Sequence, residues 1–234
     1  MRLDKFLADC GLGTRTEIKK LIKSGSIRVT GHDNLRPELK IDENKDEVFA
    51  FGEKIIYKKH IYLIMNKPQG FVSATWDKRD RVVLELVPEE YLHFEPFPVG
   101  RLDIDTEGLL ILTDDGDLAH RLLSPKKHVP KTYFVRLESP AKTEYIDKFK
   151  IGVTLDDGYK TKPATLEILN ENEINLTISE GKFHQVKRMF ESVGNKVEYL
   201  KRIKMNNLEL DENLELGQCR ELTEEEFNAL TEGV

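Results

Sequence analysis

The chain is poor in cysteine and contains no long apolar run, and both shortages restrict what it can be. Its 234 residues include two cysteines, Cys10 and Cys219, which lie far apart in sequence. Two thiols are too few for a disulfide framework or a cysteine zinc cluster. No stretch approaches the roughly 18 apolar residues of a membrane-spanning helix, and no apolar core follows the first residues, so we expect neither a membrane segment nor a secretory signal. The sequence therefore predicts a protein of the reducing cytoplasm.

The formal net charge of −6 by itself speaks against a nucleic-acid partner, but the charge is unevenly distributed. Residues 1–31 carry seven basic and three acidic side chains, whereas residues 205–234 carry one basic and nine acidic ones. A basic N-terminal region is compatible with one RNA-facing side. The alternative is an ordinary solvated helix face, because charge specifies a partner only weakly.

The N-terminal region has the pattern of a small helical module. Apolar residues at helical spacing predict a helix over 2–9. The capping-box pattern Thr14-Arg15-Thr16-Glu17 starts a second helix, which Gly25 ends. Strands are expected at 26–30 and 48–51. The exposed face of the second helix carries Arg15, Lys19, Lys20 and Lys23.

The rest of the chain alternates strands with short helices, which predicts an α+β fold with a largely antiparallel mixed sheet and flanking helices. The expected organisation is a small domain over 1–56, a linker over 57–60 and a large domain over 61–234. Strands are predicted at 61–65, 71–74, 109–113, 132–137, 164–169 and 174–178, and helices at 82–87, 118–123, 183–193 and 224–230. The run Asp114-Asp115-Gly116-Asp117 lacks the register of a calcium-binding loop and favours a hairpin or helix-entry turn.

The segment that we call the acidic loop, residues 100–108, places three carboxylates and one arginine between two glycines, directly before an apolar strand. A strand holds such a loop while the loop exposes its side chains. Two of its carboxylates could serve glycoside hydrolysis, two could bind a magnesium ion, or one aspartate could act as a nucleophile. The alternative is a polar turn whose acids accept backbone N–H groups.

A second cluster spans residues 180–190 and combines a glycine, a predicted helix and the cations Lys182, Lys187 and Arg188. Basic side chains at the start of a helix suit phosphate groups. His184 could be a ligand or a base, but no second histidine or cysteine lies at zinc spacing, so no metal site is predicted. Helical spacing assigns four apolar side chains of this cluster to the core: Phe183, Val186, Met189 and Phe190.

Taken in order, these motifs resemble the RsuA-type pseudouridine synthases behind an S4-like RNA-binding head. The head is similar from Met1-Arg2-Leu3-Asp4-Lys5-Phe6-Leu7 through Ser26-Ile27-Arg28-Val29-Thr30-Gly31. The catalytic part is similar at Met65-Asn66-Lys67-Pro68-Gln69-Gly70, in the acidic loop, at Lys131-Thr132-Tyr133 and at Glu180–Met189. The short acidic C-terminus fits the members that act on small-subunit rRNA, because some large-subunit relatives carry long basic tails.

The resemblance implies roles for individual residues. Asp103 matches the catalytic aspartate, and Arg101 matches an arginine linked to base flipping. Tyr133, which composition alone would place in a sheet core, matches a tyrosine that stacks on uracil. Lys187 matches a cation that pairs with the catalytic carboxylate, and Arg188 is a neighbouring candidate. The other RNA-binding candidates of the chain are Arg2, Arg15, Lys19, Lys20, Lys23, Lys67 and Lys182.

The implied reaction is the isomerisation of uridine to pseudouridine in 16S ribosomal RNA, which requires no cofactor and no metal. The expected partner is this RNA, either free or within a small-subunit assembly intermediate, and the expected state is a monomer. Three alternatives stay open: a relative acting on 23S rRNA, a non-catalytic S4-domain assembly factor, and a glycosidase on free sugars. The last does not explain the basic head.

Overall fold

The structure, a computed structural model, describes residues 1–234 and divides the chain into two compact units. The first unit comprises residues 1–61 and 88–95, and the second comprises 62–87 and 96–234. None of the helices is long and apolar enough to cross a membrane. The sequence pattern did not indicate that residues 88–95 belong to the first unit. The predicted domains over 1–56 and 61–234, with a linker over 57–60, stay a prediction.

The first unit packs helices against a small sheet. Thr14 begins the second helix with the predicted capping box: its hydroxyl accepts from Glu17 N, and the Glu17 carboxylate accepts from Thr14 N at 2.7 Å. Apolar side chains including Leu3, Phe6 and Ile18 form the core. Three strands pair in the antiparallel order β1-β2-β3. The elements of this unit are α1 Leu3–Asp9, α2 Arg15–Lys23, β1 Ile27–Val29, β2 Val48–Ala50, β3 Glu53–Ile55 and the short α3 Glu89–Leu92.

The second unit is built on one nine-stranded sheet. Its strands are β4 Tyr62–Lys67, β7 Phe97–Pro98, β8 Glu107–Thr113, β9 Lys131–Leu137, β10 Thr165–Ile168, β11 Glu173–Ile178, β12 Val197–Met205, β13 Leu208–Glu209 and β14 Cys219–Glu221. A separate parallel pair consists of β5 Phe71–Val72 and β6 Arg81–Val82. The helices are α4 Gly116–Leu123, α5 Glu144–Lys150, α6 Gln185–Glu191 and α7 Glu224–Thr231, and a 3-10 helix spans Val83–Leu86.

The strand order β10-β11-β9-β12-β8-β4-β14 places β8, which follows the acidic loop, near the middle of the sheet. All pairs along this path are antiparallel except β12 with β8. The predicted α+β class with a largely antiparallel mixed sheet is therefore confirmed. Strand β8 is almost wholly buried, as expected of a central strand with a continuous apolar sequence.

Two apolar clusters hold helices to this framework. The first packs Leu118 and Leu122 of α4 and Leu230 of α7 against Leu109 and Ile111 of β8. The second is a set of aromatic contacts that joins α5 to α6 through Tyr145, Phe149 and Phe190. Asp115 accepts from Leu118 N at 3.0 Å and begins α4, so the predicted helix-entry turn is confirmed.

Candidate active site

The acidic loop is held in place by the strand that follows it. Gly108 pairs with Arg202 across β8 and β12 and has a φ of +102°. A Cβ atom at this position would lie 2.2 Å from the carbonyl oxygen of Arg202. Only glycine permits this approach without moving the backbone. The close contact fixes the point from which the loop leaves the sheet.

Lys67, at the end of β4, forms hydrogen bonds with the backbone of the same loop. Its side chain is fully buried, and its ammonium donates to the carbonyl oxygens of Pro68, Asp103 and Thr106 at 3.0, 3.1 and 2.9 Å. Burial lowers the pKa of Lys67 to about 8, although the nearby carboxylates of the loop act in the opposite direction. The predicted RNA contact of Lys67 is wrong, because an enclosed amine with three internal acceptors cannot reach a phosphate. Its position makes it a support for the acidic loop.

Replacing Lys67 by methionine tests this support. The three carbonyl groups would lose their donor inside the protein, so we expect the free energy of unfolding to fall by about 2 kcal/mol or more. In the wild type, the unfolded chain keeps its lysine proton between pH 8 and 10.5 while the folded chain releases it. This proton release makes the wild-type stability rise with pH relative to the variant. Urea unfolding of both proteins at pH 7.5 and 9.5 measures the two effects. An equal stability gap at both pH values would contradict the buried titration.

A second set of hydrogen bonds ties the acidic loop to the segment before β6. The buried hydroxyl of Ser73 donates to Leu102 O and accepts from Leu102 N, both at 3.0 Å. Gly70 N donates to Ile104 O at 2.8 Å. The residues on both sides of Asp103 are thus anchored through their backbone. Asp103 itself keeps its carboxylate partly exposed, at 27 % of its surface.

Two basic side chains from the 180–190 cluster face the Asp103 carboxylate. Lys187 Nζ lies 3.6 Å from Asp103 Oδ2, and His184 Nε2 lies 3.7 Å from Asp103 Oδ1. Neither distance is that of a strong hydrogen bond. His184 has a left-handed backbone with a φ of 48°, at the residue before α6. Backbone strain of this kind often marks functional sites.

The short contacts of Lys187 go to Asp105 and not to Asp103. The Lys187 ammonium donates to the two carboxylate oxygens of Asp105 at 2.6 and 2.7 Å. Burial acts to raise the pKa of Asp105, but the hydrogen bonds and charge of Lys187 prevail and lower it. Asp105 therefore positions the cation beside Asp103, a task that the loop sequence did not reveal. The remaining carboxylate, Glu107, accepts from the Tyr199 hydroxyl at 2.6 Å.

Arg188 has a different place from Lys187. Its guanidinium pairs with Asp156 and Asp157 at 2.5 and 2.6 Å, so it is not the cation beside Asp103.

Phe183 is 71 % exposed and stacks on His184 with 3.7 Å between ring centroids. The predicted core position of Phe183 is therefore wrong, because α6 starts at Gln185 and not at residue 183. Val186, Met189 and Phe190 are buried as predicted.

A cleft of about 470 Å³ lies next to the two basic residues that face Asp103, although Asp103 itself does not line it. Its lining consists of two cations, three carboxylates, one aromatic ring and one imidazole: Lys187, Arg188, Asp156, Asp157, Glu191, Phe183 and His184. The cleft brings Lys187 and an exposed aromatic ring to one surface. Both cations of the lining are paired with carboxylates, Lys187 with Asp105 and Arg188 with Asp156 and Asp157.

Tyr133 lies on β9, in register with Gly108 at the end of the acidic loop. It pairs with Arg202 on β12, which in turn pairs with Gly108 on β8. Since neighbouring strands lie about 4.8 Å apart, the Tyr133 backbone lies roughly 10 Å from the end of the acidic loop. Only 8 % of its surface is exposed. Arg101, by contrast, is exposed at the start of the loop.

The remaining basic candidates are on the protein surface. The α2 residues Arg15, Lys19, Lys20 and Lys23 are all exposed. Arg2 is exposed as well, but its guanidinium donates to both carboxylate oxygens of Asp4 at 2.9 and 2.7 Å. The Lys182 ammonium lies 4.6 Å from the centre of the Tyr159 ring. These cations are available to solvent, whereas Lys67 is not.

Comparison with known proteins gives full-length matches. Residues 61–192 match the family described as RNA pseudouridylate synthase, and residues 1–32 match the S4 domain. The chain is 52% identical over 236 residues to an uncharacterized RNA pseudouridine synthase of Bacillus subtilis, with 99% of both chains covered. It is 43% identical over 236 residues to ribosomal small subunit pseudouridine synthase A of Vibrio vulnificus, with 98% of this chain and 99% of the relative covered. A crystal structure of a pseudouridylate synthase matches with a TM-score of 0.70 and 39% identity, over 99% of this chain and 100% of that one.

Proposed function

Since this chain belongs to the RNA pseudouridylate synthase family, as its motifs predicted, we propose that it converts a uridine of small-subunit ribosomal RNA to pseudouridine. The carrying observation is the 43% identity, over nearly the whole of both chains, with a relative named for the small subunit. The partly exposed Asp103 carboxylate beside Lys187 supports the same reading. An rRNA substrate, free or within an assembly intermediate, would place the protein in the cytoplasm, and we expect it to act as a monomer.

Asp103 is the proposed reacting group. Pseudouridylation breaks the N1–C1′ bond, rotates the uracil and forms a C5–C1′ bond, while C5 loses a proton and N1 gains one. The carboxylate can attack C1′, attack C6 or remove a sugar proton on a glycal route. The target base must first leave its stack at a cost of a few kcal/mol. The backbone hydrogen bonds of Leu102 and Ile104 support this role, because a fixed loop keeps the reacting carboxylate in a constant position relative to a bound substrate.

The neighbouring residues take supporting roles in the proposal. Lys187, held by Asp105, keeps a positive charge next to the reacting carboxylate. Arg101 is exposed where it can fill the gap left by an extruded base. Tyr133 is the proposed stacking partner of the uracil, and base stacking on an aromatic ring contributes about 1–3 kcal/mol. Arg188, which pairs with Asp156 and Asp157 at the cleft, is proposed to contact the substrate there and not to pair with Asp103.

Mapping pseudouridines in both rRNAs of a strain that lacks the gene tests the substrate. We expect one pseudouridine to disappear from 16S rRNA and every site in 23S rRNA to remain. A loss confined to 23S rRNA would favour a large-subunit enzyme. Unchanged pseudouridines in both rRNAs, with a defect in subunit assembly, would favour a non-catalytic assembly factor.

The exposed cations of α2 are proposed to bind RNA phosphates. Replacing Lys19 and Lys20 by alanine should weaken RNA binding and lower the slope of log affinity against log salt by about one to two. Filter binding from 50 to 300 mM salt measures the slope. The matched control replaces Lys148 and Lys150 of α5, which are exposed in the other unit. An unchanged slope in the α2 variant would remove this face from the RNA interface.

A further inference from the structure

The only tryptophan of the chain, Trp76, lies on a loop that the proposed reaction does not use. It is 75 % exposed, more than any other large apolar side chain of the protein. Its indole has neither a ring-stacking partner nor a hydrogen bond within the protein. A large aromatic side chain gains little from such exposure in a free enzyme, so its position points to a ligand.

This loop, residues 73–80, is closed at its base and joined to the acidic loop. Strands β5 and β6 pair on either side of it, and the Arg81 guanidinium lies 4.3 Å from the centre of the Phe71 ring. Ser73, the first residue of the loop, makes both hydrogen bonds to Leu102. Trp76 is three residues further on, so its Cα lies within about 11 Å of the Cα of Ser73. The link through Ser73 and Leu102 therefore keeps Trp76 on the same unit as Asp103 and within roughly 20 Å of it, a span of a few nucleotides.

Two cations on the same loop as Trp76 can contact an RNA backbone. Lys78 and Arg79 lie two and three residues after Trp76, both are exposed, and neither side chain pairs with a carboxylate. The Asp77 carboxylate accepts from the backbone N–H groups of Arg79 and Asp80 at 2.8 and 3.0 Å, which gives the loop its turn. Glu85 pairs with Arg81. Asp77 and Asp80 balance the formal charge of Lys78 and Arg79, but neither carboxylate forms an ion pair with them, so both cations stay available to phosphates.

We propose that Trp76 stacks on an unpaired base of the RNA next to the modified uridine, while Lys78 and Arg79 bind the adjoining phosphates. An indole can stack on any of the four bases, and lysine and arginine can bind phosphates of any sequence. This contact would therefore add affinity and orient the RNA without sequence specificity. The substrate class is thus RNA that is single-stranded beside its target. The inference rests on the proposed function for the identity of the RNA.

The single tryptophan makes the contact directly observable. We expect a 12-nucleotide oligouridylate to quench the fluorescence of full-length protein carrying Asp103→Asn, which prevents turnover, and a 12-base-pair RNA duplex not to quench it. Trp76→Ala should weaken binding of labelled oligouridylate at least about five-fold, and Trp76→Phe should restore it to within about two-fold. The matched control, Leu169→Ala, removes an exposed apolar side chain beside an acidic turn and should leave binding unchanged.

Two fluorescence results would each overturn the proposal: unchanged fluorescence at saturating oligouridylate, or stronger quenching by the duplex than by the single strand. Turnover separates this proposal from the proposed function. If the enzyme modifies 16S rRNA and Trp76→Ala keeps the wild-type KM, the stacking contact is wrong and the function stands. If 16S rRNA stays unmodified while oligouridylate quenches Trp76, the function is wrong and the stacking contact stands.

Discussion

Asp103→Asn is expected to bind RNA with wild-type affinity and to lose at least about 1,000-fold in turnover. The amide has the shape of the carboxylate but can neither attack carbon nor accept the proton, and losses of this size follow removal of a reacting group. Since Lys187 forms its hydrogen bonds with Asp105, the local structure should persist without the Asp103 charge. Tritium release from RNA containing 5-tritiated uridine measures turnover, and filter binding measures affinity.

Asp157→Asn is the matched control for this variant, because Asp157 is an exposed carboxylate that pairs with Arg188 in the same cleft. Its turnover should stay within about ten-fold of the wild type, which separates loss of the reacting group from loss of any nearby charge. Tritium release by Asp103→Asn at the wild-type rate would assign the chemistry to another residue.

Lys187→Met should lower kcat by about 100-fold with a smaller change in KM. The variant removes the only cation that lies within 4 Å of both Asp103 and Asp105, so both carboxylates lose that positive charge. Removing one electrostatic group from an active site has effects of this size. Single-turnover assays at saturating RNA isolate the chemical step.

Lys187→Arg distinguishes charge from geometry. Arginine keeps the charge but presents a planar fork in place of a compact ammonium, so we expect partial recovery of kcat. Lys196→Met, which removes an exposed cation paired with Glu138, is the control and should behave as the wild type. If Lys187→Met changed KM alone, Lys187 would be an RNA-binding residue and not a partner of the reacting carboxylate.

Local patterns predicted the elements that local interactions determine. The capping box at Thr14 and the cap at Thr223 place the starts of α2 and α7 within one residue, because a side-chain acceptor three residues before a free N–H is readable from sequence. The alternation of β11 and the apolar run of β8 likewise predicted strands. Helix α5 was missed, because its buried side chains pack on a distant partner, Phe190.

Long-range contacts explain the features that we predicted wrongly from the sequence or did not predict. Lys67 reads as a surface cation until β4 and β8 enclose it. Asp105 and Lys187 are far apart in the chain, and only the fold brings their charges together. Phe183 fits a helical apolar pattern, but the left-handed backbone of His184 places the start of α6 at Gln185. Phe183 therefore lies outside the helix, and its ring is exposed. The order of the motifs singled out Asp103 and Lys187, and the fold places their charged groups 3.6 Å apart.

Incubation of the purified protein with 16S and 23S rRNA transcripts, followed by mapping of pseudouridines in both, tests the central claim most directly. We predict one new pseudouridine in 16S rRNA, none in 23S rRNA, and none in either RNA with Asp103→Asn. Modification confined to 23S rRNA, or a 16S pseudouridine that persists with Asp103→Asn, would contradict the account.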